Sequence, residues 1–441
     1  MHPESDHGLL APIWAGGPAE SLTGDGALIR AMLEAEAALA RTLVALQIAP
    51  ARAAEVITKV TDDLTVPARE LAREGRAGGN PVIPLVRRLR AAVRAADPSA
   101  AEWVHRGATS QDILDTAMMT ASARVLDQVV RPELGIAAGV AARLASTHRR
   151  TVMAGRTLSQ HAVPISFGVK VAGWLSGLLD ADRRCAEVRR RLPAQLGGAA
   201  GTLAALEAPE LDATSILDAF AYECGLASRD LPWHTIRTPV AELAGALALS
   251  IGACGKPGLD VTVLAQTELG EVAGDPGGES SAMPQKRNPV TAALLVAAAR
   301  EAPSALAAVH LGMLAENERP AGAWQAEWQP WRSLLRLAGG AATGCAELLT
   351  ELRPNSDAMA ATVARSGGAL LAERLTGALR AELGSDAPAM VREAALAGRL
   401  PELLAKYRAD DPAGYLGAAP EFVARALARY REHTGRDEHG T

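Results

Sequence analysis

The sequence predicts an all-α protein, and three observations carry that expectation. Apolar residues make up 49% of the chain but aromatic ones only 3%, so Ala and Leu must fill the interior. That composition suits close helix packing better than a β-sandwich. Helical periodicity recurs almost everywhere, in segments of about 25 residues or more without strong caps, as in bundles that bury several faces at once. No βαβ alternation appears and no Gly-x-Gly-x-x-Gly follows a strand pattern, so Rossmann and P-loop folds have no support. At 441 residues the chain exceeds one small core, and two or three domains are expected.

The elements follow in order. "DGALIRAMLEAEAALARTLVAL" predicts a helix with Asp25 as N-cap and Leu28, Met32, Ala35 and Leu39 on one face, stopping near Pro50. Shorter helices are expected up to about Val93. "DILDTAMMTASARVLDQVV" follows the polar "HRGATSQ", and its period continues past Pro132 to His148. Further long helices are expected over Val163–Leu192, Thr238–Thr267, Val290–Ala315 and Ala323–Leu352. After "LRPNSD" the pieces become shorter, with Gly and Pro between them. These changes place domains at 1–103, 104–352 and 353–441, the middle one carrying the long helices.

Charge and cysteine usage exclude several classes. Lys and Arg total 45 against 50 Asp and Glu, a net −5, which argues against a nucleic-acid-binding surface. Cys185, Cys224, Cys254 and Cys345 are scattered, with no Cys-x-x-Cys, so neither a zinc site nor a disulfide framework is expected. No signal peptide is visible at the N-terminus, and no uncharged apolar run is long enough to span a membrane. A soluble cytoplasmic protein is the expectation.

The polar breaks between helices hold the chemistry. "HRGATSQD" offers Thr109, Ser110 and Gln111 at a helix N-terminus, where free N–H groups and hydroxyls suit a carboxylate. "AGRTLSQH" offers Arg156, Thr157, Ser159, Gln160 and His161. "GGESSAMPQKRNPV" offers Ser280, Ser281, Lys286 and Asn288, the lysine being one of only five. Arg319 and Asn80 come from "ENERP" and "GGNPVIP". Nearly all are donors, and convergent donors make a pocket for a small polycarboxylate. Each has a plainer role too. Thr109 and Ser110 can cap a helix, Arg156 can pair with an acid, and His105 and His161 can be structural hydrogen-bond partners.

The joint pattern is specific. "SSAMPQKRNP" closely resembles the SSxMPxKxNP signature of the fumarase/aspartase superfamily. "HRGATSQDILDTA" and "GRTLSQHAVPISFGVKVAGW" agree with it in order and spacing. Within the superfamily the chain most resembles the bacterial 3-carboxy-cis,cis-muconate cycloisomerases, through "GNPVIPLV", "LPWHTIRT", "ENERPAGAWQAEW" and "YLGAAPEFV" as well, from about Trp14 to Tyr430.

The resemblance implies a three-domain, all-α fold whose central long-helix bundle joins three further copies in a homotetramer with shared active sites. It implies closure of 3-carboxy-cis,cis-muconate to 4-carboxymuconolactone, with no metal or other cofactor. Ser280 would be the acid in lactonisation and the base in reverse, its anion stabilised by loop N–H groups and Lys286. Lys286, Asn288, Thr109, Ser110, Gln160 and Arg319 would hold substrate carboxylates. Ser281, Asn80, Arg156, His105, His161 and His234 are further binding candidates.

Three positions depart from the usual patterns. Leu158 stands where fumarases and adenylosuccinate lyases carry a His proposed as acid, a residue the cycloisomerases also lack, so this position favours a cycloisomerase over a standard lyase. Glu279 stands where Gly is commoner, and Gln325 where the bacterial cycloisomerases tend to show His. Two alternatives therefore stand beside the cycloisomerase. One is a superfamily lyase releasing fumarate from a substituted succinate, of adenylosuccinate or nitrosuccinate type. The other is a non-catalytic helical assembly, against which Ser280, Lys286 and Asn288 all argue.

Overall fold

The computed structural model describes residues 7–206, 212–275, 283 and 286–435. The described residues are mostly helical, and among them are one hairpin and one short strand pair. It divides into two compact units. The first comprises residues Met1–Pro132, Asp182–Gly252 and Ala298–Ala342; the second comprises Glu133–Ala181, Ala253–Ala297 and Thr343–Thr441.

In the first unit the Asp25–Ala45 helix packs against the Ala51–Asp63, Ser110–Val125 and Ala213–Cys224 helices. Small side chains permit that closeness: Ala31, Ala35, Ala38 and Ala40 are all buried along it. Leu39, Leu43, Leu196, Leu206 and Phe220 form one cluster of the core. Gly24, rather than Asp25, is the N-cap. Asp25 instead sits in the first turn, where a carboxylate favours the helix dipole, and it pairs with Arg332 at 2.8 Å.

The expected helix after "HRGATSQ" begins at Ser110. It runs to Val125, passes through a wider π-turn at Leu126–Val130, and resumes as Arg131–Thr147. Pro132 explains the interruption. Proline has no N–H and crowds the preceding turn, so the chain loosens just before it.

The second unit holds the antiparallel hairpin Val152–Thr157 and Gln160–Ser166, followed by the Phe167–Arg191 helix. The expected helix over Val163–Leu192 is thus a strand for its first residues. Val163 and Ile165 are β-branched and Pro164 cannot donate, which together favour an edge strand. A side chain at Gly155 would lie 2.6 Å from the Val163 carbonyl, so only glycine lets the two strands meet there. Leu371, Leu375, Leu379, Leu400 and Leu404 form a core cluster in the C-terminal part of this unit.

The Thr238–Leu264 and Val290–Leu311 helices are long and apolar enough to cross a membrane by length and composition. The most apolar stretch of the first is 61% buried within the chain, as in a core helix, and that of the second only 28%.

Candidate active site

Three of the sequence blocks meet in the first unit. The "HRGATSQD" segment turns sharply before its helix. His105 has φ 59° and Gly107 φ 75°, and a side chain at Gly107 would collide with Leu206. A left-handed histidine is uncommon and marks a backbone fixed by its surroundings. Thr109 is the extended N-cap and Ser110 the first helical residue. Arg319 reaches this turn, donating to Thr109 Oγ1 at 2.7 Å and to the Ala199 carbonyl at 3.1 Å. Its Nε is buried without a hydrogen-bond partner.

Beneath the turn lies Asp112, fully buried and three residues past the cap. It accepts from the N–H groups of Thr109 and Gly198, both at 2.9 Å, from Gln195 Nε2 at 3.4 Å and from His234 Nε2 at 2.7 Å. Since the acceptor is a carboxylate, the proton of that last bond sits on His234 Nε2. His234 is only 4% exposed and braces the turn from behind.

One turn further along, Asp115 and Glu327 share Arg237, and all three are buried. Arg237 donates to Asp115 at 2.7 and 3.1 Å and makes a very close contact with Glu327, with its guanidinium 4.9 Å above the Trp233 ring. Trp324 Nε1 also donates to Asp115, at 2.9 Å. Two acids thus face one cation in a dry interior. Burial pushes Glu327 up to about 7; Arg237 opposes the shift and Asp115 adds to it. This cluster ties the Ser110 helix to "LPWHTIRT" and "AENERPAGAWQAEW".

His105 Nδ1 lies 2.6 Å from Glu36 Oε1, and Glu36 is 1% exposed. Burial alone would lower the imidazole's pKa, but Glu36 and then Asp112 outweigh it, and the net shift is upward. Asn80 turns its amide to local use. Its Oδ1 accepts from the N–H of Val82 at 3.1 Å, at the start of the Val82–Ala96 helix whose N-cap is Pro81.

In the second unit Arg156 is committed to a two-pronged ion pair with the fully buried Glu271, both bonds at 2.9 Å. Gln160 and His161 are exposed beside the hairpin tip. The tip is the two-residue loop Leu158–Ser159, with φ 49° and 63°, the geometry of a type I′ turn. Leu158 is 98% exposed. Lys286 is exposed, its N–H donating to the Met283 carbonyl at 2.9 Å, and the Asn288 carbonyl accepts from Val290 at 2.9 Å. Ser280 and Ser281 lie outside the described residues. Asp275 does not: its carboxylate accepts from the N–H groups of Thr291 at 3.1 Å and Ala292 at 2.9 Å. It caps the Val290–Leu311 helix from across the signature segment and joins the two ends of that segment.

The structure therefore places Thr109, Ser110, His105, His234 and Arg319 around one turn. Sequence reasoning missed Asp112, Asp115, Arg237, Glu327, Glu36 and Asp275. A usable signal existed for the first pair. Asp112 and Asp115 are acids among Ile113, Leu114, Ala117 and Met118, and carboxylates are seldom buried without a task.

Comparison with known proteins identifies the family. A family profile described as Lyase matches residues 20–303. The chain is 45% identical to nitrosuccinate lyase of Streptomyces davaonensis over 457 aligned positions, covering 96% of this chain and 94% of the relative. It is 38% identical to 3-carboxy-cis,cis-muconate cycloisomerase of Pseudomonas aeruginosa, covering 94% of each. Among solved structures, the 3-carboxy-cis,cis-muconate lactonizing enzyme of Pseudomonas putida superposes with a TM-score of 0.88 at 33% identity, over 97% of this chain and 99% of that one.

Proposed function

The chain belongs to the lyase family of the fumarase/aspartase superfamily, and from that premise we propose that it eliminates nitrite from nitrosuccinate to form fumarate. The observation that carries this reading is the 45% identity to the Streptomyces lyase, sustained over 96% of the chain. The chemistry is compatible with Leu158. Nitrite is a weakly basic leaving group and needs no acid to protonate it, so a histidine at that position has no task.

In the proposed reaction Ser280 takes a proton from the carbon next to one carboxylate. The electron pair forms the new double bond, the C–N bond on the neighbouring carbon breaks, and nitrite departs with its pair. Charge builds on the carboxylate beside the carbon that loses its proton. Lys286, Asn288 and the Thr109–Ser110 turn are the donors we assign to it, because fixed dipoles stabilise such charge most when they need not reorganise. Arg319 holds Thr109 in place. We further propose a homotetramer with shared sites. The Val290–Leu311 helix, apolar but little buried, supports this, as do the exposed Gln160 and His161.

The second reading is closure of 3-carboxy-cis,cis-muconate, supported by the cycloisomerase relatives at 38% identity. One experiment separates the two. Purified protein is given nitrosuccinate, with nitrite and fumarate measured, and in parallel the muconate, with loss of diene absorbance measured. Nitrite and fumarate in equal amounts support the elimination. Turnover of the diene alone replaces it with the cycloisomerase.

A further inference from the structure

A cavity of about 490 Å³ opens in the first unit beside the Thr109–Ser110 turn. His105 and Ser110 line one wall, and Arg87, Arg90 and Arg94 of the Val82–Ala96 helix line the other. We propose that these three arginines form an oxyanion subsite that receives a third, two-oxygen group of the substrate, beyond the two carboxylates of a succinate frame. The inference rests on the elimination reading for the identity of that group, a neutral nitro group that gains its charge as it leaves as nitrite. The subsite itself requires only a small acid whose third group is a carboxylate or becomes an oxyanion.

The spacing is the first argument. Positions 87, 90 and 94 follow the 3.6-residue period and share one helix face. Like charges three and four residues apart on a helix repel weakly where they are exposed, as these three are, and an anion held between them relieves that repulsion. The second argument is the contrast with Arg88 on the same helix, which pairs with Glu70 at 3.2 Å and closely with Glu74. Acids are therefore at hand in this part of the chain. Among the described residues no acid makes a close ion pair with Arg87, Arg90 or Arg94, although Arg87 acts on Glu74 at longer range. Arg90 donates instead to the Val104 carbonyl at 2.9 Å, which fastens the helix to the residue preceding His105.

The third argument is chemical. A guanidinium fork matches a planar, two-oxygen group such as a carboxylate, a nitro group or nitrite. A protein of net charge −5 that keeps an unpaired cationic recess beside its substrate-binding turn concentrates anions there.

The test uses calorimetric titration of the full-length protein with tricarballylate, which has three carboxylates, and with succinate, which has two. The parent should prefer tricarballylate by about tenfold or more, the scale of one charge-assisted contact. The Arg87→Ala/Arg94→Ala double variant should lose that preference, and Arg87→Lys/Arg94→Lys should keep part of it. Light scattering on each sample follows subunit association. Because binding is read without turnover, the outcome stands even if nitrosuccinate proves not to be a substrate. An equal preference in the alanine variant, or none in the parent, overturns the subsite. So does a change of oligomer size with binding unaltered, which would make the arginines a contact between subunits. Should the double variant not fold, Arg94→Gln alone is read the same way.

Discussion

The Glu36 carboxylate lies 2.6 Å from Nδ1 of His105, and its other oxygen has no hydrogen-bond partner among the described residues. A nearly buried acid thus depends on one half-buried imidazole at the cavity wall. Such a pair holds its proton more tightly when folded than when unfolded.

That pair sets a pH dependence. A histidine whose pKa is raised by folding stabilises the protein fully below its ordinary value of about 6.5. The contribution is lost as pH rises through the raised value. Glu36→Gln removes the main cause of the upward shift, leaving Asp112 to act against burial and Arg90, so the slope weakens or reverses. Thermal midpoints from about pH 5 to about pH 9 should fall more steeply for the parent than for the variant across this window. Parallel curves would rule out the pairing.

Arg237 neutralises a cluster that cannot otherwise be neutral. Arg237→Met leaves Asp115 and Glu327 buried without a cation and should cost about 3–5 kcal/mol. Glu327→Gln acts differently. Between the ordinary carboxyl value of 4.5 and about 7, the folded parent keeps an extra proton on Glu327, so its stability declines as pH rises. The glutamine variant should lack that decline. Urea midpoints measured at several pH values read both effects, and a decline that persists in the variant would assign it elsewhere.

Ser280→Ala should lower turnover by at least about a hundredfold, the usual scale for losing an acid–base group. Its circular dichroism should match the parent's. A rate within a few-fold of the parent's would remove Ser280 from the mechanism.

Asp275 caps a long helix from the far side of the signature segment. Asp275→Ala should cost about 1 kcal/mol of stability. It should also raise KM, since Lys286 and Asn288 lose the tie at the base of their loop. Asp275→Asn keeps an acceptor oxygen and should restore most of both. An alanine variant with unchanged KM would confine Asp275 to capping.

Much of the architecture was legible in the residues. Periodicity located the long helices to within a few positions, because an apolar stripe is a local property. The motif blocks could be read as chemistry because hydroxyls, amides and cations cluster between those stripes. The hairpin at Gln160–Ser166 was not legible as such, since "VPISF" is apolar enough for either element and Pro164 decides only in context. The buried polar cluster was hidden for another reason. His234 meets Asp112 across 122 positions of sequence, and no local pattern shows which acid will find which base. Asn80 and Arg156 are both candidate donors to a ligand by sequence, yet the fold supplies each with a nearer partner, for Arg156 the acid that its plainer role anticipates.

Four donors from the chain itself converge on Asp112. The turn above it is therefore preformed, and a small acid that docks there need not organise it. If the proposed subsite holds, discrimination among acids falls to Arg87, Arg90 and Arg94, which stand on a single helix. Libraries seeking new substrates should randomise those positions and leave the aspartate untouched.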